Sequence, residues 1–500
     1  MTASQPWPWH EPPAPAWFLT LVLLGAVYSA VISIRGLAYV LLCLRRPKDL
    51  CRRYGPWAVV TGLTSGIGWS MAMELAARGI NLILLDLDAA NLREISDVIS
   101  SRHGVKTRTV VFDLSLVGTA QGDKVMRRFR DAVDGLDVGV LVNNAGVARP
   151  YALFFHEADA EAWVRMIRVN LWALTEVTAA VLPGMVARGH GAVVNMGSAS
   201  SEALPSFPLY TIYASTKRYV AQFSRSLYVE YKSKGIDVQC QAPFFVATRM
   251  VSRSALTSWI APFVPTADAY ARAAARWIGY GPLCSPTAAH QLLWCLAPIV
   301  PDAAFDWILL QAHQRQRVTI QKIKAARAAS ASLGRKNFSN CYGVKAESLL
   351  MAACNAWPRN EPAWFLTLVL LGAAYAAALS IRLLVYVALC LRRLRDLRRR
   401  YSAWAVVTSP TSGMGRSMAL ELARRGFNLV LVDLNTANLE ETSDVIKSGL
   451  DVKTKTVVFD LSLVGTAQGK LAHTLVSTLM LYALVVIYLY PLKRIFYAGH

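Results

Sequence analysis

Residues 57–68 read Trp57-Ala58-Val59-Val60-Thr61-Gly62-Leu63-Thr64-Ser65-Gly66-Ile67-Gly68. The residues before Gly62 form a short apolar, β-branched run, as a buried strand requires. Three glycines come next, and after them an apolar periodicity of helical type runs from Ser70 to Arg78. Glycine at such a turn lets the backbone reverse tightly and approach a pyrophosphate closely. The helix behind it presents its positive end to the phosphate charge. A glycine triplet alone is common, but the strand-turn-helix context makes this one a nucleotide-binding turn. It marks Thr61, Gly62, Ser65, Gly66, Ile67 and Gly68 as cofactor-binding residues.

Outward from this turn the chain keeps alternating. Asn81-Leu-Ile-Leu-Leu85, Thr109-Val-Val-Phe112, Val138-Gly-Val-Leu-Val142 and Ala192-Val-Val-Asn195 are apolar runs bounded by turn residues, with helical patterns such as Ala89 to Ser100 between them. Strands and helices in alternation predict an α/β fold, a parallel sheet covered on both faces. The second strand closes on Leu85-Asp86-Leu87-Asp88. A carboxylate there accepts hydrogen bonds from ribose hydroxyls and repels a 2′-phosphate, unless it is simply a solvated strand-end acid. Trp69 stands where a basic residue often helps to hold that phosphate, so the sequence favours NAD(H). Asp113, closing the third strand, is a candidate for the adenine amino group or a cap for the segment after it.

Farther along, Asn143-Asn144-Ala145-Gly146 closes the fourth strand, Asn170 lies in a helical stretch, and Ser198 comes just after Val193-Val194-Asn195. Tyr213-Ala-Ser-Thr-Lys217 then places a phenol and an ammonium one turn apart on a single helical face. Hydride reduction of a ketone leaves an alkoxide that needs a proton. A phenol, ordinarily of pKa ~10, delivers it near neutrality only if an ammonium and an oxidised nicotinamide favour the phenolate. Ser198 would polarise the carbonyl, and Asn170 would hold a water relaying protons to Lys217. Tyr228-Val-Glu-Tyr-Lys232 has the same spacing. It lies four helical turns beyond Tyr213, and its members are read as surface or packing residues.

The ordered set Thr-Gly-x-x-x-Gly-Ile-Gly, Asn-Asn-Ala-Gly, Ser and Tyr-x-x-x-Lys resembles the short-chain dehydrogenase/reductase family, whose fold is a Rossmann-type doubly wound parallel sheet. Leu50-Cys-Arg-Arg-Tyr-Gly-Pro-Trp57, Phe155-His-Glu157, Asn195-Met-Gly-Ser198 and Gly235-Ile-Asp-Val-Gln-Cys-Gln241 narrow this. They are similar to segments of the membrane-anchored very-long-chain 3-oxoacyl-CoA reductases, especially plant forms, which are close to the 17β-hydroxysteroid dehydrogenases. The resemblance covers residues 17 to about 327. It implies Ser198, Tyr213, Lys217 and Asn170 as an active tetrad and Asn144, Val246 and Thr248 as cofactor contacts. It also implies an acyl-CoA or steroid-like substrate, other elongation enzymes as partners, and an endoplasmic reticulum membrane location with the catalytic domain in the cytosol. Those reductases carry an Arg for the NADPH phosphate where Leu87 stands and a small residue where Asp86 stands, so NADP(H) is the family expectation against which NAD(H) is set.

The chain has 500 residues, 54% of them hydrophobic, and a formal net charge of +21. Much of the basic excess flanks apolar stretches, as at Arg45, Arg46, Lys48, Arg52 and Arg53, which marks a membrane border. No reader motif accompanies it, so nucleic-acid binding is not expected. The cysteines show neither metal-ligand nor disulfide spacing, and no metal site is expected. Ala16 to Leu44 is long enough to span a bilayer, and the cations behind it put the N-terminus in the lumen.

Trp17-Phe-Leu-Thr-Leu-Val-Leu-Leu-Gly returns at Trp364, and the same offset of 347 residues maps Asp86 to Asp433. The expected organisation is a lumenal end and anchor (1–45), a catalytic domain (46–330), a linker (331–356), a truncated repeat of the anchor and nucleotide-binding half (357–469) and an apolar tail (470–500). The repeat's glycine turn reads Thr408-Ser409-Pro410-Thr411-Ser412-Gly413-Met414-Gly415 and is succeeded by no Ser, Tyr or Lys equivalent, so it is not expected to catalyse this chemistry by itself.

Overall fold

The apolar runs become strands in the order in which they occur: β1 (Trp57–Thr61), β2 (Asn81–Asp86), β3 (Thr107–Val111), β4 (Val138–Asn143), β5 (Gly191–Met196), β6 (Ile236–Gln241) and the short β7 (Leu283–Cys284). The computed structural model describes residues 48–63, 66–149, 151–248, 261–332, 403–411 and 413–460, with scattered helical positions between 23 and 41. It divides into two units, Met1–Ala378 and Leu379–His500.

In the first unit the strands pair in the order β3-β2-β1-β4-β5-β6-β7, and every pairing is parallel. Strands covered on both faces need apolar residues at every position, which is why the runs do not alternate. Ala58, Val60, Leu82 and Leu84 face one core, while Val59, Ile83 and Leu85 face the other. Each large apolar side chain among them, fully buried, contributes roughly 1.5–3 kcal/mol. Strand order reverses direction between β1 and β4. In open α/β sheets that switch point is where ligands bind, outside the carboxyl ends of the strands.

The helix after β1 runs Gly66–Ala77, one turn earlier than its apolar periodicity suggests, because Gly66, at a left-handed φ of 65°, turns the chain directly into it and Gly68 already lies within it. The helix Ala89–His103 continues past Ser100 and stops at Gly104, whose left-handed φ of 65° closes it. Residues 160–188 form one continuous helix, long and apolar enough to cross a membrane, but half of that stretch is buried inside the fold. Its middle, Arg168–Trp172, is a π turn.

The N-terminal positions that are described are helical, and their apolar side chains, among them Leu23, Val27, Ile34 and Leu37, are exposed. A helix apolar on its outward faces suits the expected anchor. Tyr39 joins it to the body: its hydroxyl donates to the Pro286 carbonyl at 3.2 Å and its ring stacks on Trp277 at 5.4 Å. The remaining anchor positions, most of the linker, the second apolar stretch and the tail lie outside the described residues.

The second unit contains β8 (Trp404–Thr408), β9 (Asn428–Asp433) and β10 (Thr454–Val458), paired in parallel in the order β10-β9-β8. Trp404 pairs with Asn428 in the register that joins Trp57 to Asn81. Ser409 has a φ of +52°, a left-handed conformation that costs a serine more than the glycine at the matching position 62.

Candidate active site

The site is assembled at the carboxyl ends of β1, β4 and β5. Gly62 turns at a φ of 68°, and its amide donates to the Leu85 carbonyl at 2.9 Å, tying the turn to the end of β2. A Cβ on Gly68 would collide with the Gly62 carbonyl and the Asn144 amide. Thr61 and Asn144 brace this turn. Thr61 Oγ1 accepts from the Asn144 and Ala145 amides at 3.1 and 3.0 Å, and Asn144 Nδ2 donates to the carbonyls of Thr61 and Gly62 at 3.1 and 2.8 Å.

Of the other residues expected to contact a cofactor, Ile67 packs on the core cluster that includes Val246. The methyl of Thr248 lies against Gly66, so the segment after β6 meets the glycine turn. Ser65 lies outside the described residues. Asp86 closes β2 and its Oδ1 accepts from the Leu87 amide at 2.7 Å. Asp113 Oδ1 accepts from the Ser115 amide and hydroxyl at 2.9 and 2.7 Å, so capping is one of its tasks.

The four residues expected to carry the chemistry converge. The Tyr213 hydroxyl hydrogen-bonds with Ser198, which sits just past β5. Lys217 is buried, its Nζ donates to the Met196 carbonyl at 2.8 Å, and it lies 6.0 Å from the centre of the Tyr213 ring. Asn170 sits in the π turn, a helix defect frequent at functional sites. Its Oδ1 accepts from the Val147 amide at 2.7 Å, and its Nδ2 donates to the Val147 carbonyl at 2.9 Å and to Thr216 Oγ1 at 3.1 Å. A relay water, expected on Asn170, therefore meets a side chain that keeps only the second lone pair of Oδ1. Lys232 is exposed and its Nζ donates to the Tyr228 hydroxyl at 3.0 Å at the far end of the helix Thr211–Tyr231, while the Tyr228 ring is half-buried against the core.

The short chain dehydrogenase family profile matches residues 56–258. A very-long-chain 3-oxoacyl-CoA reductase-like protein of Arabidopsis thaliana is 45% identical over 275 residues, covering 55% of this chain and 86% of that protein. The chain belongs to the short-chain dehydrogenase/reductase family. The very-long-chain 3-oxoacyl-CoA reductase of Rattus norvegicus is 36% identical, over 56% of this chain and 88% of that one. The inactive hydroxysteroid dehydrogenase-like protein 1 of Homo sapiens is 35% identical, over 57% of this chain and 87% of that one.

As a short-chain dehydrogenase/reductase the protein is an oxidoreductase, and its electrostatics come from burial. Burial raises the Tyr213 phenol above its ordinary range while the bond with Ser198 opposes the rise, so the hydroxyl keeps its proton. Burial pulls the Lys217 ammonium down to about 8.

Sequence reasoning missed Thr216. It is buried, accepts from Asn170 and donates to the Tyr213 carbonyl at 2.8 Å. Its position inside Tyr-Ala-Ser-Thr-Lys carried the only signal. Also unforeseen is a buried polar chain: Asn143 Nδ2 donates to Thr178 Oγ1 and Asn195 Oδ1, each at 2.9 Å, and Asn195 Nδ2 donates to Ser224 Oγ at 2.9 Å. It ties β4 and β5 to the helix that carries Tyr213.

Proposed function

We propose that this protein is a membrane-bound reductase of the 3-oxo group of very-long-chain acyl-CoA, working at the endoplasmic reticulum with its catalytic domain in the cytosol. The observation that carries this reading is the convergence of Ser198, Tyr213 and Lys217 beside a glycine turn at the switch point of the sheet. The names of the Arabidopsis and rat relatives supply the substrate class. The exposed apolar N-terminal helix supports the membrane.

The residues present fit a dinucleotide. The contact of Gly68 with the Gly62 carbonyl leaves no room for a side chain in the turn, and Asp86 closes β2 with a carboxylate that would accept from ribose hydroxyls. When bound, the nicotinamide supplies the hydride. Ser198 Oγ lies 2.8 Å from Ser200 Oγ. On substrate binding the Ser198 and Tyr213 hydroxyls give up their mutual bond, both turn their protons to the substrate carbonyl oxygen, and Tyr213 gives up its proton as negative charge develops there. Lys217, charged near neutrality, stabilises the phenolate left behind. We propose NAD(H) as the preferred cofactor, because Asp86 favours a free ribose hydroxyl over a 2′-phosphate.

A steroid-type alcohol is the second reading, favoured by the hydroxysteroid relative. That relative's name also raises a silent nucleotide-binding scaffold, against which the complete tetrad stands. Residues 357–500 are read as a partial duplication or as two joined tandem genes, without catalysis of their own, rather than as a regulatory half-domain. The test is turnover by the purified chain of a 3-oxoacyl-CoA and of a 17-ketosteroid, with NADH and NADPH compared. Reduction of the thioester substrate is expected. Nucleotide binding without turnover of either compound would overturn the enzymatic reading.

A further inference from the structure

Between Ser198 and the Tyr213 helix the chain makes a turn, residues 206–210, in which Leu209 is buried. Leu209 within it has a φ of 63°, a conformation that a leucine adopts only under constraint. Its carbonyl accepts from the Leu153 amide at 3.2 Å, next to Ala152, which has a φ of 40°. Two strained non-glycine residues thus meet beside the proton donor, and something must keep them there.

The helix Asp302–Ser332 does so. Asp306, His313 and Arg317 are spaced seven and four apart and share one helical face. Asp306 accepts from the Ser206 hydroxyl at 2.5 Å, His313 Nδ1 lies 2.7 Å from the Pro208 carbonyl, and Arg317 pairs with Glu157 at 2.5 Å. Gln316 adds a bond to the Tyr210 hydroxyl. Of Asp306, His313 and Arg317 only His313 is buried, and its ring meets Phe207 and Tyr210 edge-on, with centroids 4.6 and 5.1 Å away. A carbonyl can only accept, so Nδ1 carries the proton. Burial keeps the ring neutral by lowering its pKa. This helix lies beyond the stretch matched by the family profile.

We propose that His313 is a positioning residue: by holding the Pro208 carbonyl it fixes the 206–210 turn, and through Tyr210, the residue that begins the helix Thr211–Tyr231, it sets the place of the Tyr213 hydroxyl. The proposal rests on the reading of Tyr213 as proton donor. It makes the helix Asp302–Ser332 part of the catalytic geometry.

The test uses the full chain and two substitutions. His313→Ala removes the donor, and His313→Asn restores an N–H at nearly the same distance from the backbone. Amide exchange at Tyr210 and Ala214 is expected to accelerate at least ~10-fold in His313→Ala and to stay within ~3-fold of the parent in His313→Asn. The turnover number should fall by ~10-fold or more in the alanine variant and recover in the asparagine variant, with nucleotide affinity equal in all three. Parent-like exchange in His313→Ala, or equal loss in both variants, would overturn the clamp. If the parent chain reduces no carbonyl compound, the functional reading fails, and the exchange measurement alone still decides whether His313 holds the turn.

Discussion

Asn170 donates through Nδ2 to Thr216 Oγ1 at 3.1 Å, and that hydroxyl donates onward to the Tyr213 carbonyl at 2.8 Å. The π turn and the Tyr213 helix are therefore locked by a buried hydroxyl rather than by apolar contact alone. Thr216→Val keeps the shape and removes the link. Leaving a buried donor with one partner fewer should cost roughly 1–3 kcal/mol in urea unfolding and ~10-fold in turnover number, whereas Thr216→Ser should restore both. A valine variant of parental activity would reduce the link to packing.

Tyr213→Phe removes the transferable proton and keeps the ring, so turnover should fall by at least ~10²-fold with nucleotide affinity nearly unchanged. Tyr228→Phe breaks only an exposed contact with Lys232 and should change turnover by less than about twofold. Steady-state rates of the two variants, side by side, check the assignment; the opposite pattern would transfer the catalytic role to the second pair.

Lys217 acts as a cation, and burial pulls it down to about 8. The charged form is complete well below that pH and is lost as pH rises through it. The turnover number for ketone reduction should accordingly be flat at about pH 6–7 and decline with an apparent pKa of about 8. Lys217→Arg keeps its charge throughout, so its alkaline limb should move up by at least ~1 unit, whatever the loss in maximal rate. An unmoved limb would assign the titration to another group.

Asp86 and Leu87 decide the cofactor in our reading. A charge-assisted bond to a free ribose hydroxyl is worth roughly 1.5–3 kcal/mol, or about tenfold or more in favour of NAD(H). The double change Asp86→Ala with Leu87→Arg should shift preference toward NADP(H), by removing the repulsion and adding a fork for the phosphate. Titration of both nucleotides against each chain reads the ratio, and tighter NADP(H) binding by the parent would show that a cation distant in sequence reaches the phosphate.

Val59 is fully buried while Val406, in the matching strand of the second unit, is 39% exposed. Val59→Ala should lower the protection of β1 amides by an amount equivalent to roughly 1.5–3 kcal/mol, and Val406→Ala should lower that of β8 by less than ~1 kcal/mol. Hydrogen exchange of the full chain separates the two.

Much of this protein is legible in its sequence because local signals are strong where the backbone must do something special. The glycine turn, the apolar strands and the Tyr213–Lys217 spacing each arise from short-range geometry, and the parallel order of the sheet arises from alternation. The partners of Asn170 were not legible, since Val147 and Thr216 are distant in the chain and reach it only when the helix 160–188 packs against the segment after β4 and against the Tyr213 helix. Nor was the hold of His313 on Pro208, made across 105 residues.

The same five residues, Trp-Ala-Val-Val-Thr, occur at 57–61 and at 404–408, and they measure the division. Sequence alone determines that both are parallel strands of identical pairing with the next strand in the chain, because apolar β-branched residues suit that backbone wherever they stand. Only tertiary structure decides that β1 is buried from Ala58 to Thr61 while β8 buries Val407 alone. β1 also pairs with β4 and lies between two packed layers, whereas β8 is an edge of its sheet; burial, and the free energy that goes with it, belongs to the strand's surroundings.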